Sequence, residues 1–381
     1  MSFERLRALL DRFPEVGVPG CACVVRHHGE TVFLHRAGVR DLDTQEPVRP
    51  HDHVFLYSAS KLATCTAVLQ RLEAGDFLLT DPVGEYLPAF KEMTVRHTDE
   101  KGEVHLEEAE NPVTIRHLMT MTAGLDYNFQ MPAIQEAIRK SEGRAPTQAI
   151  AAAIAKTPLS FEPGTHWQYS LCHDVLAALV EAVSGEHFSE YVRRHIFEPC
   201  GMTESVYHLT PELETSLTTQ YRYDETLKKA VPAGQTNTHI LGPDYDSGGA
   251  GIISTLEDYS LFVDALCHWG RAATGEQILS PRTIELMRTN QLDETCLRDK
   301  SWPQLAGYGY GLGVRTMIDP ALGGSLSPVG EFGWDGAAGS YALIDPEHEL
   351  SVFYMQHMLN SAHAYIHPRI RNTVYADLNE R

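Results

Sequence analysis

Runs with strand character lie at the two ends of this 381-residue chain, and few lie between about residues 112 and 225. Near the start, VPGCACVVRH and ETVFLHRAG flank an HHGE turn, the pattern of a β-hairpin. Near the end, YGYGLGVRTM, GEFGWDGAAGSYALIDP and LSVFYMQHM combine β-branched and aromatic residues with glycine turns. Between them TIRHLMTMT, IQEAIRK, TQAIAAAIAKT, HDVLAALVEAVSG and FSEYVRRHIF carry helical periodicity. A sheet must therefore be assembled from both ends of the chain, flanked by an N-terminal helix (about 3–13) and a closing helix in IRNTVYADLNER. This predicts an α+β fold in which 1–90 and 240–381 form a discontinuous sheet domain and 91–239 a mostly helical insertion. The expected site is the cleft between them. The charged stretch RHTDEKGEVHLEEAEN reads as a solvated loop or small exposed hairpin.

Within YSASKLATCTAVLQRLEAG, Ser58 and Lys61 stand three residues apart at the predicted start of a helix. Positions i and i+3 share a helix face, so the Lys61 amine can reach the Ser58 oxygen, and Ser60 cannot use it in the same way. A serine becomes a nucleophile near neutral pH only when a neighbour removes its proton as attack proceeds. An ordinary lysine, with a pKa of about 10.4, does this poorly unless burial or nearby positive charge lowers that value. Leu62, Ala63, Val68 and Leu69 drive the helix into a core that would desolvate the amine. Taken alone, Ser-x-x-Lys is a short pattern that also arises by chance.

Composition excludes several classes. With 31 Lys and Arg against 51 Asp and Glu, the net charge of −20 opposes nucleic acid and anionic membrane surfaces. No run approaches the ~18 apolar residues of a membrane span, and MSFERLRALLDRFPEVG lacks the apolar core of a signal peptide, which predicts a cytoplasmic location. Seven scattered cysteines suit a reducing compartment. Cys21 and Cys23 should share a sheet face, and no ligand-like spacing around them indicates a metal. No cofactor and no metal are expected.

Further stretches, FLYSASKLAT, GDFLLTDPVGEYLPAF, NPVTIRHLMTMTAGLDY, FEPGTHWQYS, IFEPCGMTESVY, GGAGIISTLEDYSLF and GEFGWDGAAGSY, span most of the chain. In content and order they resemble the serine β-lactamase and penicillin-binding-protein superfamily, in particular the branch of class C β-lactamases, D-amino-acid peptidases and family VIII carboxylesterases. The resemblance implies a β-lactamase/transpeptidase-like fold, with an antiparallel sheet flanked by helices. It further implies Ser58 as nucleophile, Lys61 as its proton acceptor, Tyr169 as a second proton-transfer group, and an oxyanion hole from the backbone N–H groups of Ser58 and Ala337. A phenolate at Tyr169 would need the positive lysine beside it.

Two departures bear on substrate. Class C enzymes usually carry Tyr-x-Asn, whereas this chain has Tyr169-Ser170-Leu171, and leucine cannot make the amide's hydrogen bond. Tyr-Ser-Leu followed by Asp174-Val175-Leu176 resembles family VIII carboxylesterases, although Leu171 also fits a core position. Where many relatives have Lys-Thr-Gly, Trp334-Asp335-Gly336 resembles the esterase form. Without that lysine the grip on a substrate carboxylate is lost, and an aromatic suits an apolar acyl chain.

The expected activity is a serine carboxylesterase acting on small or medium acyl esters, with β-lactam turnover as a side activity. A class C-like β-lactamase, a D-amino-acid peptidase and an acyltransferase are the alternatives. The expected partner is a small-molecule ester or β-lactam-like substrate. Trp334, Asp335, Gly336, Tyr127, Trp167 and Leu171 are the candidate pocket residues, with capping of the local turn favoured for Asp335. Glycines 333, 336 and 339 serve either ligand approach or packing. His117 reads as structural, and Gly248-Gly249-Ala250-Gly251 as a tight turn before a helix capped by Ser254 or Thr255.

Overall fold

A computed structural model describes residues 2–99, 101–300 and 302–378. Its centre is a seven-stranded antiparallel sheet built from β1 (Gly20–His27), β2 (Glu30–Gly38), β3 (Tyr308–Tyr310), β4 (Arg315–Met317), β5 (Phe332–Gly333), β6 (Tyr341–Asp345) and β7 (Leu350–Gln356). The order across the sheet is β2-β1-β7-β6-β5-β4-β3. Strands from the two ends of the chain meet at β1 and β7, where Cys21 lies opposite Gln356 and His27 opposite Leu350. The first hairpin turns through His28 and Gly29, both at positive φ (54° and 76°), as a tight two-residue turn with right-handed strand twist demands.

Alternate residues of these strands enter different cores. Cys21, Cys23 and Val25, with Leu343, Val352 and Tyr354, pack under α1 (Glu4–Asp11) and α5 (His363–Leu378) through Leu6, Leu9, Leu10, Ile366, Ile370 and Val374. Ala22, Val24, Phe353 and Met355 face the larger core. That core contains the apolar sides of α2 (Lys61–Ala74), α3 (Cys172–Ser184) and α4 (Leu256–Cys267). A sheet covered on both sides explains why GCACVVRH reads as an apolar run rather than an alternating one.

Thr94–Thr98 and Val104–Glu108 form the exposed hairpin within the acidic stretch. Thr255 caps α4, its hydroxyl accepting from the Asp258 N–H at 3.1 Å. His117 is structural: its Nδ1 accepts from the Thr114 N–H at 3.2 Å within a capping box, and burial lowers its pKa to about 4.

Candidate active site

Segment Val54–Leu56 is the foundation of the site. Val54 and Phe55 pair with Ser254 and Ile253, and the Leu56 N–H donates to the Ile252 carbonyl at 3.0 Å. Tyr57 then turns the chain with φ of 49°, and residues 57–60 make a single 3-10 turn before α2 begins at Lys61. The α-helix thus starts one turn later than the sequence predicts. The 3-10 geometry still aligns positions i and i+3, so Lys61 Nζ lies 3.1 Å from Ser58 Oγ. Ser60 instead holds the scaffold, its hydroxyl accepting from the Ile252 N–H at 3.0 Å, and Tyr259 donates to the Ala59 carbonyl at 2.6 Å.

Tyr169 arrives from the segment preceding α3 and places its hydroxyl 2.8 Å from the same Ser58 oxygen. Lys61 is fully buried, below the rings of Tyr169 and Tyr127 at 4.8 and 5.7 Å from their centroids. Its amine donates to the Gly249 carbonyl at 2.7 Å. Behind that contact lies the buried carboxylate of Asp174, whose Oδ1 accepts from Tyr245 at 2.6 Å, Ser247 at 2.8 Å and the Gly249 N–H at 3.4 Å. Burial drives the Tyr127 phenol pKa well up, and the neighbouring Tyr169 and Asp174 add to the effect. The histidine beside this group, His239, is pushed down to about 4, first by burial and then by Lys61. A half-buried serine oxygen between an amine and a phenol is equipped for nucleophilic acyl chemistry, because either neighbour can exchange a proton with it.

Aromatic rings line the approach. Tyr169 stacks on Tyr127 at 5.4 Å and on Trp334 at 5.9 Å, with the edge of Trp302 at 5.2 Å. Trp167 and Tyr310 close the group behind them, and Phe129 and His239 continue it past Tyr127. Among the sequence-predicted pocket residues, Tyr127 is half-buried, whereas Trp167 (7 % exposed) and Trp334 (1 %) back the wall. Trp302, at 37 % exposure, forms its open edge. Leu171 is fully buried among the side chains around α3 and fills core instead of lining an opening.

The turn at 334–340 is pressed onto the Ser58 segment. Ser340 donates to the Leu56 carbonyl at 2.9 Å, and a Cβ on Gly336 would lie 2.0 Å from that same oxygen. Protein atoms likewise occupy the space beside Gly333 and Gly339, so packing accounts for all three glycines. Asp335 departs from its expected roles as turn cap and pocket residue. Among the described residues its carboxylate bonds no turn N–H; it faces Arg315 at 3.9 Å and His367 at 4.0 Å, away from the aromatic wall. Alternation along an extended segment sends Trp334 and Asp335 to opposite sides. Ala337 is exposed at the crest of the turn.

His239, Trp302 and Tyr310 are site neighbours that sequence reasoning did not single out, while Asp174 and Gly249 figure in it only within a motif and a turn. Asp174 had a usable signal, five residues after Tyr169 on the first turn of α3; the others lie in loops or on strands without a distinguishing pattern.

Similar proteins place this geometry in a family. The chain is 27 % identical over 377 residues to Esterase EstB of Burkholderia gladioli, covering 92 % of this chain and 89 % of that one. It is 28 % identical over 346 residues to Protein Rv1367c of Mycobacterium tuberculosis, covering 88 % and 85 %. Its fold superposes on that of EstCE1, a hydrolase with promiscuous acyltransferase activity, with a TM-score of 0.79, 24 % identity and 98 % of both chains covered. The Beta-lactamase family model matches residues 6–374, and the chain belongs to that family.

Proposed function

We propose that this protein is a serine carboxylesterase that forms a covalent acyl-enzyme on Ser58. The observation that carries the reading is the convergence of Lys61 Nζ (3.1 Å) and the Tyr169 hydroxyl (2.8 Å) on one serine oxygen. In this reading Ser58 Oγ attacks the ester carbonyl carbon and its proton passes to the Lys61–Tyr169 pair. The C–O bond to the alcohol then breaks, and the alcohol departs with that proton. Water, activated by the same pair, hydrolyses the acyl-serine and restores the hydroxyl. Charge on the carbonyl oxygen is met by the N–H groups of Ser58 and Ala337, a pairing favoured by the close seating of the 336–340 turn on Leu56.

Ester preference is supported by the side chains of the aromatic wall. Trp334 stands where a carboxylate-gripping lysine would favour a β-lactam or peptide, and the wall around Tyr169 is aromatic. The names of EstB and EstCE1 point in the same direction, the second also toward acyl transfer. Transfer to an alcohol or amine uses the same acyl-serine, with the acceptor replacing water.

The test is kcat/KM for p-nitrophenyl butyrate in wild type and Ser58→Ala. A loss of about 100-fold or more, with an intact-mass acyl adduct in the wild type alone, is the expected result. Equal turnover in the two proteins would overturn the assignment. Faster turnover of a penicillin than of the ester would shift it to a β-lactamase.

A further inference from the structure

Behind the 334–340 turn, away from Ser58, three metal-ligating side chains face one another. Asp335 comes from the turn, and His363 and His367 are four residues apart in the first turns of α5, hence on one helix face. One donor atom from each lies within 4.8 Å of the other two, and the two imidazoles stack with centroids 4.8 Å apart. We propose that Asp335, His363 and His367 form a binding site for a first-row divalent cation of the Zn2+ class.

Hydrogen bonding orients the donors. His367 Nε2 lies 3.4 Å from the Gly339 carbonyl, and a carbonyl only accepts, so this nitrogen carries the proton. In the neutral ring Nδ1 then presents a lone pair, and it faces Asp335 Oδ2 at 4.0 Å. A lone pair opposed to a carboxylate oxygen is unfavourable, and either a proton or a metal cation between them relieves it. The outer contact to Gly339 is of the kind that fixes a ligating histidine's tautomer and ring. His363 Nε2 is buried and has no hydrogen-bond partner among the described residues.

Two His nitrogens and one carboxylate oxygen suit Zn2+ or Co2+, with bonds of about 2.0–2.2 Å and a fourth position left open. Tetrahedral ligands at that bond length stand about 3.4 Å apart, so the donors need to close by up to about 1.4 Å. Two cations compete on this side. Arg315 Nη1 is 3.9 Å from Asp335 Oδ1, but the guanidinium also faces Glu331 at 3.7 Å, which leaves Oδ2 to the histidines. The Lys300 amine is engaged by the Tyr308 carbonyl at 2.8 Å. A second group, Asp99, Glu103 and His105, lies exposed on the hairpin and serves as the control.

The experiment is calorimetric titration of Zn2+ into chelator-treated, dialysed protein, paired with Co2+ absorption in the visible. Wild type is expected to bind one equivalent and to give Co2+ ligand-field bands. His363→Ala and Asp335→Asn should each weaken binding at least about tenfold and abolish the bands, while His105→Ala leaves both unchanged. His363 is partly exposed at the start of α5, so the metal-free variant should keep the wild-type circular dichroism spectrum and thermal midpoint. No binding by wild type, unaltered binding by His363→Ala, or loss in His105→Ala instead would overturn the proposal. These readouts are independent of whether Ser58 turns over esters.

Discussion

Gly249 turns its carbonyl to Lys61, 2.7 Å from Nζ, while its own N–H points to Asp174 Oδ1 at 3.4 Å. One residue thus links a buried amine to a buried carboxylate, and under the proposed mechanism Asp174 would position Lys61. Asp174→Asn keeps the shape and removes the charge. The expected result is a kcat/KM lower by roughly tenfold or more, with KM for the ester little changed. The thermal midpoint should stay near that of the wild type, because the isosteric amide keeps the packing around Gly249. A merely structural role would lower the thermal midpoint and leave kcat/KM of the folded protein unchanged.

Trp302 forms the open edge of the aromatic wall, 5.2 Å from Tyr169. Trp302→Ala should discriminate among substrates. KM for p-nitrophenyl octanoate is expected to rise several-fold, since a long acyl chain loses apolar surface worth about 0.8 kcal/mol per buried methylene. Acetate, which ends short of this edge, should be nearly unaffected, and a chain-length series in wild type and variant checks it.

Gly336 has no room for a side chain, because a Cβ there would sit 2.0 Å from the Leu56 carbonyl and 2.3 Å from Ser340 Oγ. Gly336→Ala must push the turn off the nucleophile segment. We expect activity to fall about 100-fold, comparable to losing an oxyanion donor, with a stability cost of about 1–3 kcal/mol from overpacking. Steady-state kinetics and urea unfolding of the same sample separate the two effects.

Buried histidines should set the acid limit of stability. His357 Nδ1 bonds the Thr218 carbonyl at 3.1 Å and Nε2 accepts from the Phe55 N–H at 3.3 Å, so the neutral ring is satisfied and a second proton is not accommodated. Burial pushes its pKa down to about 3, below the ~6.5 of an unfolded chain. Between those values the unfolded chain binds the proton first, so this contribution is full above about pH 6.5 and is lost as pH falls toward 3. Stability should decline by up to about 1.4 kcal/mol per pH unit from this group. His357→Gln should flatten the slope of urea stability against pH between 6 and 4, whatever its effect at pH 7.

Features confined to a few neighbouring residues were legible in the sequence. The HHGE hairpin, the Thr255 cap and the Ser58–Lys61 pairing all depend on contacts within four positions. Tyr169 is 111 residues from Ser58 and was reachable only through the resemblance, since nothing local distinguishes it from a tyrosine packed beside Trp167. Trp302, Tyr310 and His239 carry no periodic signal, and only tertiary packing brings their rings to the wall. The late start of α2 follows from the positive φ at Tyr57, a conformation that composition does not encode. Asp335 points away from the pocket because Trp334 takes the inner side of the extended segment.

β7 occupies an interior position in the sheet, hydrogen-bonded to β1 on one side and β6 on the other. Until residues 350–356 have left the ribosome, the hairpin of β1 and β2 and the strands after residue 307 have no common neighbour to bind. Ser58 is synthesised early, yet the turn that abuts it reaches its place only through the late strands. Such long-range closure delays folding and leaves the site around Ser58 incomplete until the chain is nearly finished. A truncation before residue 350 should therefore split the sheet and leave Ser58 with nothing opposite it.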